Sequence, residues 1–157
     1  MSNEKPKFIT IAVDFDGTII KGGKYPNAEM EDVFQDAVYC LKKLQEHPKI
    51  RLILWSCRDE KSGENSYNNM IRLCDELGLK FDAINDNVKE YKDEGFACRK
   101  VFANVYIDDL SISRPPVALA SNVLRNDKMV YFWKAFRNII GTPSGLEFWI
   151  LDILNSI

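Results

Sequence analysis

Two carboxylates, Asp14 and Asp16, interrupt the apolar stretch IAVDFDGTII, Ile11 to Ile20. In extended backbone, residues i and i+2 face the same side, so the two acids project together while Phe15 turns into the core. Gly17 permits a tight turn that brings backbone N–H groups close to a ligand, and Thr18 adds a hydroxyl. Further along, Ser56 ends the apolar run RLILWS and is followed by Cys57 and Arg58. Asp108 and Asp109 end the run VFANVYIDD, with Lys100 just before it. Carboxylates a few ångströms apart repel strongly in a partly buried cleft. A hard divalent cation relieves that repulsion. Magnesium suits the set, because it takes oxygen ligands and keeps waters and substrate phosphate oxygens in its shell.

These groups have the chemistry for phosphoryl transfer. Asp14 ends its strand and is held most rigidly, which makes it the better nucleophile for attack on phosphorus. Asp16 is placed to protonate the leaving oxygen and then to activate water. Ser56 offers a hydrogen bond to a phosphoryl oxygen, and Lys100 a positive charge to both the phosphate and Asp14. Asp14, Asp16, Asp108 and Asp109 are the metal candidates. Gly17, Thr18, Ser56, Arg58 and Lys100 are the phosphate or substrate contacts.

A set scattered over this much sequence must be gathered by a fold. Phe8 to Phe15, Arg51 to Ser56, Lys80 to Asn85 and Val101 to Asp108 read as strands. Helical spacing marks Glu31 to Gln45, through Phe34, Ala37, Val38, Leu41 and Leu44, and Asn65 to Leu77, with Gly78 as its stop. Lys89 to Glu94 reads as a helical turn. Apolar strands separated by helices predict an α/β domain: a mainly parallel sheet, covered on both faces, in a three-layer, doubly wound, Rossmann-like arrangement. In such folds ligands bind outside the carboxyl ends of the strands, where these residues fall. Lys128 to Ile140 reads as an aromatic-rich helix, and Ser144 as the N-cap of a last helix. The apolar segment GLEFWILDILNSI has two readings, packing against the sheet or the face of a homo-oligomer.

The chain has 157 residues, enough for one domain with a sizeable core. The single domain spans 1–157, with the motifs in 8–112 and a C-terminal helical segment over 127–157. A net charge of -2 supplies no field to attract nucleic acid or an anionic membrane, so no general nucleic-acid or membrane binding is expected. The polar start MSNEKPK and the absence of a long apolar run predict a cytoplasmic protein. Its four cysteines form no C-x-x-C pair and read as free thiols.

DFDGT, Asp14 to Thr18, resembles the first motif of the haloacid dehalogenase-like (HAD) phosphohydrolases. LILWS resembles their second motif, Lys100 is the best match to the motif III lysine ahead of Lys89 and Lys92, and VYIDD resembles the acidic fourth motif. The resemblance covers roughly residues 8 to 112. It implies a magnesium-dependent phosphatase that works through an aspartyl-phosphate on Asp14, with Asp16 as acid/base. It also implies that Asp16 offers the metal its backbone carbonyl, Asp14 its carboxylate, and Asp108, with Asp109 second, a direct or water-mediated contact. IKGGKYPN, Ile20 to Asn27, looks like the flap after the first motif and is too short for a cap domain. In that family a capless, open site implies a large substrate or a partner subunit acting as lid; the expected partner is a phosphorylated small molecule or an exposed phosphate on a larger substrate.

Two rivals share the fold. One is a receiver-type signalling domain phosphorylated on aspartate, although its phosphoacceptor would end a middle strand, where Ser56 and Asn85 stand. The other is a catalytically weak phosphate-binding protein. Asp-Gly by itself is a common turn; the ordered acids, hydroxyl and lysine set this one apart.

Overall fold

The computed structural model describes residues 7–59, 64–95, 101–110 and 122–156. Strands and helices alternate: β1 (Ile9–Val13), a 3-10 turn (Met30–Asp32), α1 (Gln35–Gln45), β2 (Ile50–Leu54), α2 (Glu64–Glu76), β3 (Ala83–Ile84), α3 (Lys89–Asp93), β4 (Val105–Ile107), α4 (Asn122–Ile140) and α5 (Pro143–Asn155). The strands form one parallel sheet in the order β3-β2-β1-β4. β1 is flanked by β2 and β4, so the chain's progress across the sheet reverses beside it. Ile11 and Val13 pair with Val105 and Ile107 on one side and with Leu52 and Leu54 on the other. Carboxyl ends of all strands therefore share one edge.

Alternation along β1 divides the core. Ile9, Ile11 and Val13 join a large cluster with Leu52, Leu54 and the buried faces of α1, α2, α4 and α5. Ala12 and Ile53 face the other way, onto Val88, Val101 and the half-buried Phe8, Trp55 and Tyr91. Among the described residues this second face is covered by α3 and the strip leading into β4, while four helices cover the first. Every residue of β1 is buried, as a central parallel strand demands.

Several boundaries differ from the sequence expectation. The helix expected from Glu31 starts at Gln35, because Phe34 is extended and its N–H donates to the Ile19 carbonyl at 2.9 Å. That bond, with the Ile20–Val33 bridge, folds the flap back onto the body. The last strand is shorter than Val101 to Asp108. Ahead of it, Asn104 spends both backbone and side chain on Thr10, donating its N–H to the Thr10 carbonyl at 2.8 Å and accepting the Thr10 N–H on Oδ1 at 2.9 Å. Helix α4 begins before Lys128, since no glycine or proline interrupts Asn122 to Ile140. Thr142, not Ser144, caps α5: its Oγ1 accepts the Gly145 N–H at 3.1 Å, and Pro143 occupies a first-turn position where a missing N–H costs nothing. Ile150 and Leu154 seat α5 in the main core, and Phe148 and Leu151 point outward. Among the described residues no helix is long and apolar enough to cross a membrane.

Candidate functional site

The end of β1 is held from both sides. Trp55 donates its N–H to the Val13 carbonyl at 2.8 Å, and Asp14 donates its own to the Ile107 carbonyl at 2.9 Å. Asp14 thus sits at the sheet edge between β2 and β4, and its Oδ1 accepts the Phe15 N–H at 2.8 Å. Phe15 is fully buried, which anchors the turn. Its carbonyl takes the N–H groups of Thr18, Ile19 and Ile20. Gly17 has φ +78, and a Cβ there would meet the Asp109 carboxylate, 2.6 Å from its Cγ. Glycine is therefore required twice, for the left-handed backbone and for the space.

β4 delivers the other acids. Asp109 is almost wholly buried, and its N–H donates to Thr18 Oγ1 at 2.9 Å. Asp108 is half-buried, and its Oδ1 accepts the Leu110 N–H at 2.8 Å. Carboxylate oxygens of Asp14, Asp108 and Asp109 all lie within 4.8 Å of one another. Burial, reinforced by the charge of Asp108 and less strongly by Asp109, pushes the Asp14 carboxyl up to about 9, against the pull of its bond from the Phe15 N–H. Three carboxylate oxygen donors at this spacing in a partly buried cleft could hold a metal ion.

Asp16 goes elsewhere. Its Oδ2 accepts from Arg58 Nε and its Oδ1 from Arg58 Nη2, both at 2.8 Å. Arg58 is completely buried, so it is neither a solvated loop residue nor exposed to a leaving group. Burying a guanidinium costs several kcal/mol unless its hydrogens are satisfied. Nη1 meets that condition through the carbonyls of Pro26 at 2.8 Å and Ser66 at 3.0 Å and through Asn69 Oδ1 at 3.0 Å. Rings of Phe15 and Tyr25 flank the group at 5.0 and 5.2 Å.

Ser56, at the end of β2, accepts the Arg58 N–H on Oγ at 3.0 Å. A hydroxyl that accepts in this way keeps its own proton to donate. Asn85 shapes the loop: its Oδ1 accepts the Ser56 N–H at 2.7 Å and its Nδ2 donates to the Arg58 carbonyl at 3.0 Å. It does so from a left-handed backbone, φ 53, which asparagine tolerates.

The fold thus brings Asp14, Gly17, Thr18, Asp108 and Asp109 together, sets Ser56 on the adjoining strand end, and pairs Asp16 with Arg58. Lys100 lies outside the described residues. Its rivals on α3 are engaged in ion pairs, Lys89 with Asp93 at 2.9 Å and Lys92 with Asp86 at 2.7 Å. Three contributors carry no motif in the sequence. Lys128 places its ammonium 3.5 Å from the Asp109 carbonyl. Trp133 donates Nε1–H to the Thr18 carbonyl at 2.7 Å. Asn69 bridges Arg58 to the flap, accepting the Ala28 N–H at 2.9 Å and donating to its carbonyl at 3.0 Å. No local pattern marks Asn69, since Asn65, Ser66 and Asn68 in the same helix are polar too. No family model matches the chain, and neither a curated protein nor a solved structure matches it significantly.

Proposed function

We propose that the protein is a magnesium-dependent phosphomonoesterase of the HAD type, acting through an aspartyl-phosphate on Asp14. The carrying observation is the convergence of the Asp14, Asp108 and Asp109 carboxylates within 4.8 Å at the carboxyl edge of a parallel sheet. The acids stand between β1 and β4, where the strand order reverses, and in a doubly wound Rossmann-like domain that is the ligand crevice. On this reading an Asp14 oxygen forms the new bond to phosphorus as the ester oxygen departs. Asp16 supplies the departing oxygen with a proton, then takes one from the water that hydrolyses the acyl phosphate. Ser56 donates to a phosphoryl oxygen, and the Gly17 turn lets backbone approach the phosphate. Magnesium, when bound, would be held by Asp14, Asp108 and Asp109 and would supply the charge that lets carboxylate and phosphate approach.

A second reading has support of its own. Both Asp16 oxygens are taken by Arg58, an arrangement that suits a phosphorylated aspartate outliving its formation, as in a signalling or phosphate-holding domain of the same fold class. One experiment addresses both. A panel of phosphomonoesters is assayed with and without magnesium, with Asp14→Asn as control. Metal-dependent turnover lost in the variant supports the phosphatase. A long-lived phosphate on Asp14 without turnover supports the second reading. Turnover that ignores magnesium or survives in Asp14→Asn overturns both.

A further inference from the structure

We propose that Arg58 is a positioning residue that latches the flap to Asp16, so that the aim of the acid and the seat of the flap are set by one guanidinium. The argument rests on geometry. Arg58 is fully buried, and its side chain touches three separate pieces of chain. Two hydrogen bonds of 2.8 Å hold both oxygens of Asp16 in the turn after β1. A third, also 2.8 Å, holds the Pro26 carbonyl in the flap. The remaining contacts, to the Ser66 carbonyl and Asn69 Oδ1, fix it to α2.

Two further features tie the flap to the same group. The Tyr25 ring lies against the guanidinium from the flap side, itself half-exposed. Asn69, one partner of Arg58, also exchanges two hydrogen bonds with the Ala28 backbone. The flap from Tyr25 to Ala28 is therefore fastened at Pro26 and Ala28 to one polar knot, and Asp16 is fastened to the same knot. A bidentate fork fixes the carboxylate plane as well as its distance. An ammonium in its place reaches the same side with a single point of contact and cannot hold Asp16 and Pro26 in one plane.

The acid role of Asp16 belongs to the function proposed above; the latch itself does not depend on it. The test uses the full-length protein as wild type, Arg58→Lys, Asp16→Asn and the double variant, with melting curves to confirm folding. Hydrogen exchange of the amides in 21–28 reads the latch directly. The expected result is at least tenfold faster exchange there in both single variants, with exchange in β1 and α1 unchanged. If Arg58→Lys does not fold, Asp16→Asn alone decides through the same amides. Flap exchange equal to wild type overturns the proposal.

Where phosphatase turnover is present, Arg58→Lys should lower kcat by 10- to 100-fold with little change in KM, since a slight misplacement of a reacting group costs that much. In the Asp16→Asn background the same change should add no further loss, because Arg58 acts through Asp16. An unchanged or raised kcat in Arg58→Lys, or losses that multiply independently, also overturns it. Absence of turnover in wild type refutes the phosphatase reading alone, and the exchange result still decides the latch.

Discussion

The backbone N–H of Asp109 donates to the hydroxyl of Thr18 across 2.9 Å, joining the end of β4 to the turn that follows β1. Both residues are buried. The bond closes the site's frame, because Asp14 belongs to one side of it and Asp108 and Asp109 to the other.

Thr18→Val keeps the shape and removes the acceptor. A buried N–H left without a partner costs about 1–3 kcal/mol, so the variant should melt several degrees lower, at roughly 2–4 °C per kcal/mol for a chain of this size. If the acids hold magnesium as proposed, the affinity read by calorimetric titration should fall as Asp109 loses its register. A variant with wild-type melting and wild-type affinity would show that the bond is idle.

Gly17→Ala meets two penalties at once. A non-glycine residue in the left-handed region costs about 1–2 kcal/mol, and the new methyl would displace the Asp109 carboxylate. Urea unfolding should show a lower midpoint at unchanged slope, and metal affinity should fall further than in Thr18→Val. Equal affinity in the two variants would mean that Asp109 need not hold its place.

Asp14 gives the metal-free protein a pH dependence of defined sign. Its carboxyl lies near 9 in the folded chain, against an ordinary 3.8, through burial and then the charge of Asp108. The folded state thus keeps a proton that the unfolded chain gives up. This group's contribution to stability is complete below pH 3.8 and is lost as pH rises toward about 9. In a chelating buffer the melting temperature should therefore fall between about pH 5 and pH 9. Asp14→Asn, which cannot ionise, should flatten that fall and melt several degrees above wild type at the alkaline end. Parallel melting profiles for the two proteins would refute the account.

Trp133→Phe tests the support beneath the turn. The fully buried indole donates to the Thr18 carbonyl at 2.7 Å. Phenylalanine removes the donor and leaves a small void, together about 2–4 kcal/mol. Denaturation should show that loss. Any turnover should fall with kcat rather than KM, because the residue lies behind the site. A loss below about half a kcal/mol, the scale of an ordinary surface substitution, would make the hydrogen bond incidental.

The strands and helices were legible because period and burial coincide: Ile9, Ile11 and Val13 alternate toward one face, and Ala37, Val38, Leu41 and Leu44 recur along α1. Boundaries were less so. Phe34 reads as helical by spacing, but a long-range bond to Ile19 holds it extended. The acids of the site announce themselves by type and place at strand ends. The partners that orient them do not. Arg58 reads as a loop arginine until its burial is known, and nothing in local pattern says that two residues 42 positions apart, Asp16 and Arg58, meet in two hydrogen bonds. Trp133 and Lys128 sit on α4, whose neighbours only the tertiary fold chooses.

Two of the clustered acids depend on a short strand, β4. It has three residues, forms the edge of the sheet, and meets β1 through three residue pairs, yet it leads directly into two of the three clustered acids. β1, by contrast, is buried throughout and paired on both sides. A sub-global opening that peels β4 away would take apart the three-acid cluster while most of the core stays intact. If the acids hold a cation as proposed, its binding would oppose that opening; the ion would act as a clasp on a short edge strand, and local stability would rise and fall with the supply of metal.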